Sequence, residues 1–302
     1  MKELELIRLY CYLCDCNDKT LSIYHERFSL NSCPSNEKLT DMELLTIYFY
    51  CRRFENKQSK KDIYDYATRY LSSWFPSLPA YANFNSRLNK LGSLIPYLIQ
   101  EMLSSLQEKE ACSIDKTISL IDSMPIMLCS GKRAEKVAPE LSEKSYCATK
   151  GLYYFGVKLH TVAFRRKGKL PFPEYLGITS AAENDLEAVR HLLPNLVHRT
   201  IIADKAYADK GLNNSLFINQ NSTISTPIKL IKGESVQTRQ FKKAADDLFS
   251  THVSTLRQPI ESFFSWLIQK TDIQKAFKVR NTKGLILHVF GALATAIAFW
   301  FF

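Results

Sequence analysis

Apolar positions along the 302 residues change their period near residue 113. Before that point they recur at helical spacing. Thr40-Asp-Met-Glu43 reads as a capping box opening the apolar stretch Leu44–Tyr50. Ser59–Leu71 gives a second helix, with Ile63, Tyr66, Ala67 and Tyr70 at i, i+3, i+4 and i+7. Trp74-Phe-Pro-Ser-Leu-Pro79 interrupts it, because two prolines remove donors and fix φ. Tyr81–Leu91 resumes helix with Phe84, Leu88 and Leu91 on one stripe. Its other face carries Asn83, Asn85, Arg87, Asn89 and Lys90. Short helices broken by a proline turn suit a helix-turn-helix arrangement, in which Arg87 and Lys90 would meet DNA. The same residues serve equally as a solvated face.

From about Ser113 the chain reads as strands. Thr117–Asp122 is apolar nearly throughout, as expected of a strand covered on both faces. Residues 123–152 read as a basic, irregular insertion containing Lys132, Arg133, Lys136, Lys144 and Lys150. Tyr153–Phe164 is a long strand, Arg165-Arg-Lys-Gly-Lys169 a hairpin turn, and Leu170–Ser180 a third strand. Asn184–Leu196 is an amphipathic helix, followed by a strand ending at Asp204, a helix near Lys210–Gln220 and a short strand Ser222–Thr226. A polar stretch then leads to a helix opening at Pro259 and to an apolar C-terminus. This order predicts an α/β fold with one mixed sheet and flanking helices, preceded by an all-α domain. The boundary falls between residues 1–112 and 113–302.

Charge follows the same boundary. The chain carries a net +10, yet residues 1–112 hold 14 Lys+Arg and 14 Asp+Glu. Residues 113–302 hold 26 against 16, so the whole excess lies in the strand-rich part. A basic surface there suggests a polyanionic substrate. Eight cysteines follow no disulfide framework, which suggests reduced thiols in a cytoplasmic protein. Cys11, Cys14 and Cys16 form C-x2-C-x-C, but no second pair completes a zinc site. Residues 285–302 are nearly long enough to span a bilayer; with His288 inside them, they read as a helix buried in the core.

Three carboxylates stand out against this background. Asp122 closes the apolar run Thr117–Ile121, Asp204 closes Thr200-Ile-Ile-Ala203, and Glu261 lies in Pro259–Ile268, a stretch with almost no other charge. Aspartate is depleted in strands and costly to bury unpaired. The first strand should lie near the sheet centre with the strand after the first helix beside it, making Asp122 and Asp204 neighbours. A covering helix would aim Glu261 between them. Such a trio can hold two Mg²⁺ ions about 4 Å apart for in-line phosphoryl transfer. With Pro259 as its first helical residue, Glu261 would sit in the first turn, favoured by the helix dipole. Lys158 and His160 share one face of the second strand and could meet phosphate. Arg257, one helical turn before Glu261, would clamp phosphate or pair with the carboxylate. Lys270 opens a basic band that continues through Lys275, Lys278, Arg280 and Lys283.

The blocks Ile121-Asp-Ser-Met-Pro125, Tyr146-Cys-Ala-Thr-Lys150, Tyr154-Phe-Gly-Val-Lys-Leu-His160, Ala203-Asp-Lys-Ala-Tyr207 and Arg257-Gln-Pro-Ile-Glu-Ser-Phe-Phe-Ser265 carry a resemblance. In these blocks the chain resembles bacterial insertion-sequence transposases of the DDE class, closest to the group built on insertion sequence nine-eight-two. The resemblance implies a ribonuclease H-like core and metal ligation by Asp122, Asp204 and Glu261. It implies Mg²⁺, with Mn²⁺ able to substitute, and cleavage of double-stranded DNA at terminal inverted repeats followed by strand transfer into target DNA. It also implies a homodimer in a synaptic complex, in a nucleoid-associated cytoplasmic protein with no membrane anchor. Lys132, Arg133, Lys150, Lys158, His160, Arg257 and Lys270, with Arg87 and Lys90, are the expected DNA contacts. Related signatures carry Tyr and Lys where this chain has Ser254 and Ile268. A catalytically silent DNA-binding descendant and a general two-metal nuclease would share the same acids.

Overall fold

The computed structural model describes residues 2–24, 39–129, 136–147, 150–228 and 235–301. They form two compact units: Met1–Lys109 with Glu135–Glu140 and Leu267–Phe302, and Glu110–Ala134 with Leu141–Trp266.

The first unit is helical: α1 (Lys2–Cys16), α2 (Asp41–Phe54), α3 (Lys60–Tyr70), α4 (Tyr81–Leu91), α5 (Ile95–Lys109) and, from the far end of the chain, α9 (Thr282–Ala298). The capping box forms as expected at α2, where the Glu43 amide donates to Thr40 Oγ1 at 3.2 Å and the Thr40 amide to Glu43 Oε2 at 2.6 Å. Ser59 caps α3 by accepting from the Asp62 amide. Helix α9 packs against α2, α4 and α5 and is buried nearly all round, with Leu285, Leu287, Val289, Leu293 and Ile297 in the core. Residues 267–302, grouped with the strands in the sequence reading, therefore join the helical unit. A helix with this much apolar surface must be enclosed on several sides, and α2, α4 and α5 enclose it. Among the described residues, no helix is long and apolar enough to cross a membrane. Cys11, Cys14, Cys16, Cys51, Cys112, Cys129 and Cys147 are free thiols, while Cys33 lies outside the described residues.

The second unit is an α/β layer built on a mixed sheet of six strands: β1 (Ile114–Cys129), β2 (Glu143–Cys147), β3 (Leu152–Arg166), β4 (Phe172–Ser180), β5 (Thr200–Ile202) and β6 (Thr223–Ser225). The order is β2-β3-β1-β5-β6, with β4 also pairing β3. β1 runs antiparallel to β3 and parallel to β5, so the first strand is central, as its apolar run requires. Helices α6 (Asp185–Arg190) and α7 (Lys210–Gln220) supply Leu186, Val189 and Leu216 to a core shared with Ile121, Ile201, Ala203 and Ile224.

Two sequence expectations change here. The span 123–152 is not wholly an irregular insertion, because β1 continues to Cys129 and 143–147 forms β2 on the β3 edge. Pro125 is tolerated because β1 is paired there only with β3, the β5 ladder having ended at Leu120. Helix α8 runs Val236–Thr271 with Pro259 inside it, so Pro259 does not open a helix. Glu261 therefore lies far from the N-terminal turn, and the dipole gives it no support there. The start was hidden because described side chains between Val236 and His252 show no buried stripe.

Candidate active site

The register of β1 on β5 builds the site. Leu120 pairs with Ile202 in a parallel ladder, which brings Asp122 and Asp204, each two residues further on, to the same level. Asp204 leaves the strand as the N-cap of a single 3₁₀ turn, its Oδ1 accepting from the Lys205 amide at 2.6 Å. Asp122 Oδ1 accepts from the Ser123 amide at 2.8 Å. Helix α8 supplies the third side. Arg257 donates from Nη1 to Asp122 Oδ2 at 2.8 Å and from Nη2 to Glu261 Oε1. The guanidinium thus bridges an aspartate on the central strand and a glutamate one turn along its own helix.

Burial differs sharply along this bridge. The Arg257 and Asp122 side chains are 18% and 16% exposed, and that of Glu261 is 53% exposed. Burial pushes the Asp122 carboxyl up to about 6. Arg257 and the Ser123 amide pull it back, while the carboxylates of Asp204 and Glu261 push it further up. The three acids therefore feel one another. A cleft of about 790 Å³ opens over two of them, Asp204 and Glu261, and is lined also by Lys205, Asp247, Ser254, Arg257 and Gln258.

A polar layer lies behind Asp122. Ser123 Oγ donates to Asp185 Oδ1 at 3.0 Å, and Lys158 Nζ donates to the same oxygen at 3.1 Å and to the Glu183 carbonyl at 2.8 Å. Tyr207 is buried beside this layer, its phenol pushed up by burial and by Asp185, Asp122 and Asp204. His160 is buried, with Nε2 2.7 Å from Thr179 Oγ1, and burial pushes it down to about 4, so it is neutral at physiological pH. Ser123, Asp185 and Tyr207 were not picked out from sequence. Ser123 and Tyr207 lie within recognised blocks, but Asp185 looks like an ordinary first-turn acid until the fold brings Lys158 to it.

A model of the transposase DDE domain family matches residues 113–296. The chain belongs to this family. The match begins where the strand pattern begins and spans Asp122, Asp204 and Glu261. No curated protein and no solved structure matches the chain significantly. For a DDE transposase the general activity is transposition of DNA, and its domains normally use divalent metal ions. The donors of this transposase suit such an ion chemically: Asp122, Asp204 and Glu261 offer hard carboxylate oxygens, and their mutual repulsion favours a shared cation. Among the described residues, however, no group of three His, Cys, Asp or Glu side chains is arranged to hold a metal ion. Arg257 takes the inward oxygens of Asp122 and Glu261 instead.

The other sequence-derived contacts of the transposase are scattered. Lys158 and His160 stand near the acids but are engaged by Asp185 and Thr179. Lys150 is exposed at the start of β3. Lys132 and Arg133 lie outside the described residues. Lys270 belongs to the helical unit, with Nζ 5.2 Å from the Phe299 ring centroid. In α4, Lys90 is exposed, whereas Arg87 turns to Asp41 at 2.6 Å within its own unit.

Proposed function

We propose that this transposase cuts double-stranded DNA at the terminal inverted repeats of its element and joins the freed ends to target DNA. Asp122, Asp204 and Glu261 would be the catalytic, metal-holding acids. The observation that carries this reading is the shared level of Asp122 and Asp204 on adjacent parallel strands, with Arg257 tying Asp122 to Glu261. The strand order around a long central β1, with helices on the sheet, supports a ribonuclease H-like core, and the sequence blocks support the insertion-sequence nine-eight-two group.

Asp122, Asp204 and Glu261 would hold Mg²⁺, with Mn²⁺ as a substitute. When bound, a pair of such ions activates a water or a DNA 3′-hydroxyl and stabilises the leaving oxygen. The chain's own residues prepare for this. The Arg257 fork fixes the two carboxylates it touches, and the Lys205 amide fixes Asp204. Lys205 sits exposed on the cleft wall, where its ammonium can meet a phosphate. Ser123, Asp185 and Lys158 hold the floor beneath Asp122. The net charge of +10, concentrated in residues 113–302, draws a polyanion to this part of the chain. A homodimer pairing two element ends, working on the nucleoid of a bacterial cytoplasm, completes the proposal.

Labelled duplexes carrying the element's terminal repeats, or scrambled ends, test it with the purified chain and Mg²⁺. Cleavage confined to the repeat boundaries and lost on chelation is expected. Equal cleavage of scrambled ends would identify a general nuclease. Absence of cleavage on both duplexes would identify a DNA-binding descendant.

A further inference from the structure

Arg257 stands between the cleft and Asp122. Asp204, Lys205, Arg257 and Glu261 line the cleft, whereas Asp122 does not. The Asp122 side chain is mostly buried, and its Oδ2 accepts from Arg257 Nη1 at 2.8 Å. The other arm of the same guanidinium donates to Glu261 Oε1. Two of the three acids are therefore engaged by one cation that the chain itself supplies. This accounts for the absence, among the described residues, of a group of three acids set to hold an ion.

A divalent ion held by Asp122 and Glu261 would need carboxylate oxygens that the fork now occupies. The guanidinium brings one charge spread over a plane, the ion two charges at a point, and the two compete for the same oxygens. Arg257 cannot yield by losing its proton, because a guanidinium stays charged at any working pH. It can yield only by moving. Its Nε is buried without a partner, so the seated side chain is incompletely satisfied. Its contact with Glu261 is at the exposed end, where an ion pair is weak. We infer that Arg257 bars divalent ions from Asp122 and Glu261, and that ion binding expels its guanidinium from between them. This rests on the reading of those two residues as metal-holding acids and adds a gate to it. Before an ion arrives the buried aspartate stays paired, and the apparent ion affinity is lowered by the fraction of chains in which the fork is closed.

Mn²⁺ binding to the full chain without DNA, read from the paramagnetic resonance of the free ion, tests the gate with no cleavage involved. Arg257→Met should bind Mn²⁺ about tenfold or more tightly than the native chain. Lys205→Gln removes the same charge from the cleft wall without freeing Asp122, and should change the affinity by less than about threefold. Adding Asp122→Asn to Arg257→Met should remove the gain. The displacement itself is read on the native chain by phenylglyoxal labelling and peptide mass spectrometry, which depends on no variant folding. Saturating Mn²⁺ should raise modification of Arg257 by about threefold or more and leave Arg199, paired with Glu174, unchanged. Equal affinity of native chain and Arg257→Met, an equal gain in Lys205→Gln, a gain that survives Asp122→Asn, or Arg257 labelling unmoved by bound Mn²⁺ would overturn the gate and leave the metal reading standing. Absence of Mn²⁺ binding by both native chain and Arg257→Met would overturn both.

Discussion

At the scale of single residues, the site is governed by the cost of keeping Asp122 charged. Its folded pKa of about 6 lies above the ordinary carboxylate range, chiefly through burial. Between about pH 4 and pH 6 the folded chain therefore keeps a proton that the unfolded chain releases. Stability falls as pH rises through that window, and above pH 6 the full cost is carried. Asp122→Asn cannot ionise. Urea unfolding should find it more stable than the native chain by about 2–3 kcal/mol at pH 7.5, the gain disappearing near pH 4. An equal or smaller stability at pH 7.5 would show that Arg257 already compensates the charge in full. The acids themselves were legible in the sequence because a carboxylate ending an apolar strand has few structural uses. Their partners were less so. Lys158 and His160 share a strand face as expected, but whether a lysine meets DNA or Asp185 is decided by a helix 27 residues away in the chain.

At the scale of elements, the sequence was most informative where hydrophobic period and caps agree. Tyr81–Leu91 and Lys210–Gln220 form the helices expected, and Thr40 and Glu43 close their capping box. It was least informative where an element lacks a buried stripe. β2 is an edge strand with mostly exposed residues, so its five positions look like loop. The first part of α8 carries no core face, and Pro259 then looks like a start when it lies within a longer helix. Close packing between elements also escapes pattern reading. A Cβ on Gly156 of β3 would run into the Ile126 carbonyl of β1, and one on Gly291 of α9 would run into the buried Tyr48 hydroxyl of α2. Gly291→Ala should thus destabilise the helical unit by about 1–3 kcal/mol despite its better helix propensity. Thermal unfolding checks this, and an unchanged or raised midpoint would mean that Tyr48 swings clear.

At the scale of the whole molecule, the chain divides labour between a helical unit that takes in both ends and an α/β unit that carries the acids. The family match begins at residue 113, where the hydrophobic pattern changes. The return of the C-terminal helix to the first unit could not be read locally, since an apolar helix does not announce which core encloses it. The net positive charge of the second half, the cleft over Asp204 and Glu261 and the family together make DNA strand cleavage the activity to measure. The most direct test compares the native chain with Asp204→Ala on a labelled duplex carrying the terminal repeat, in Mg²⁺, with thermal unfolding to confirm the variant is folded. Cleavage should fall by at least about a hundredfold in the folded variant. Cleavage by Asp204→Ala at the native rate would contradict the account.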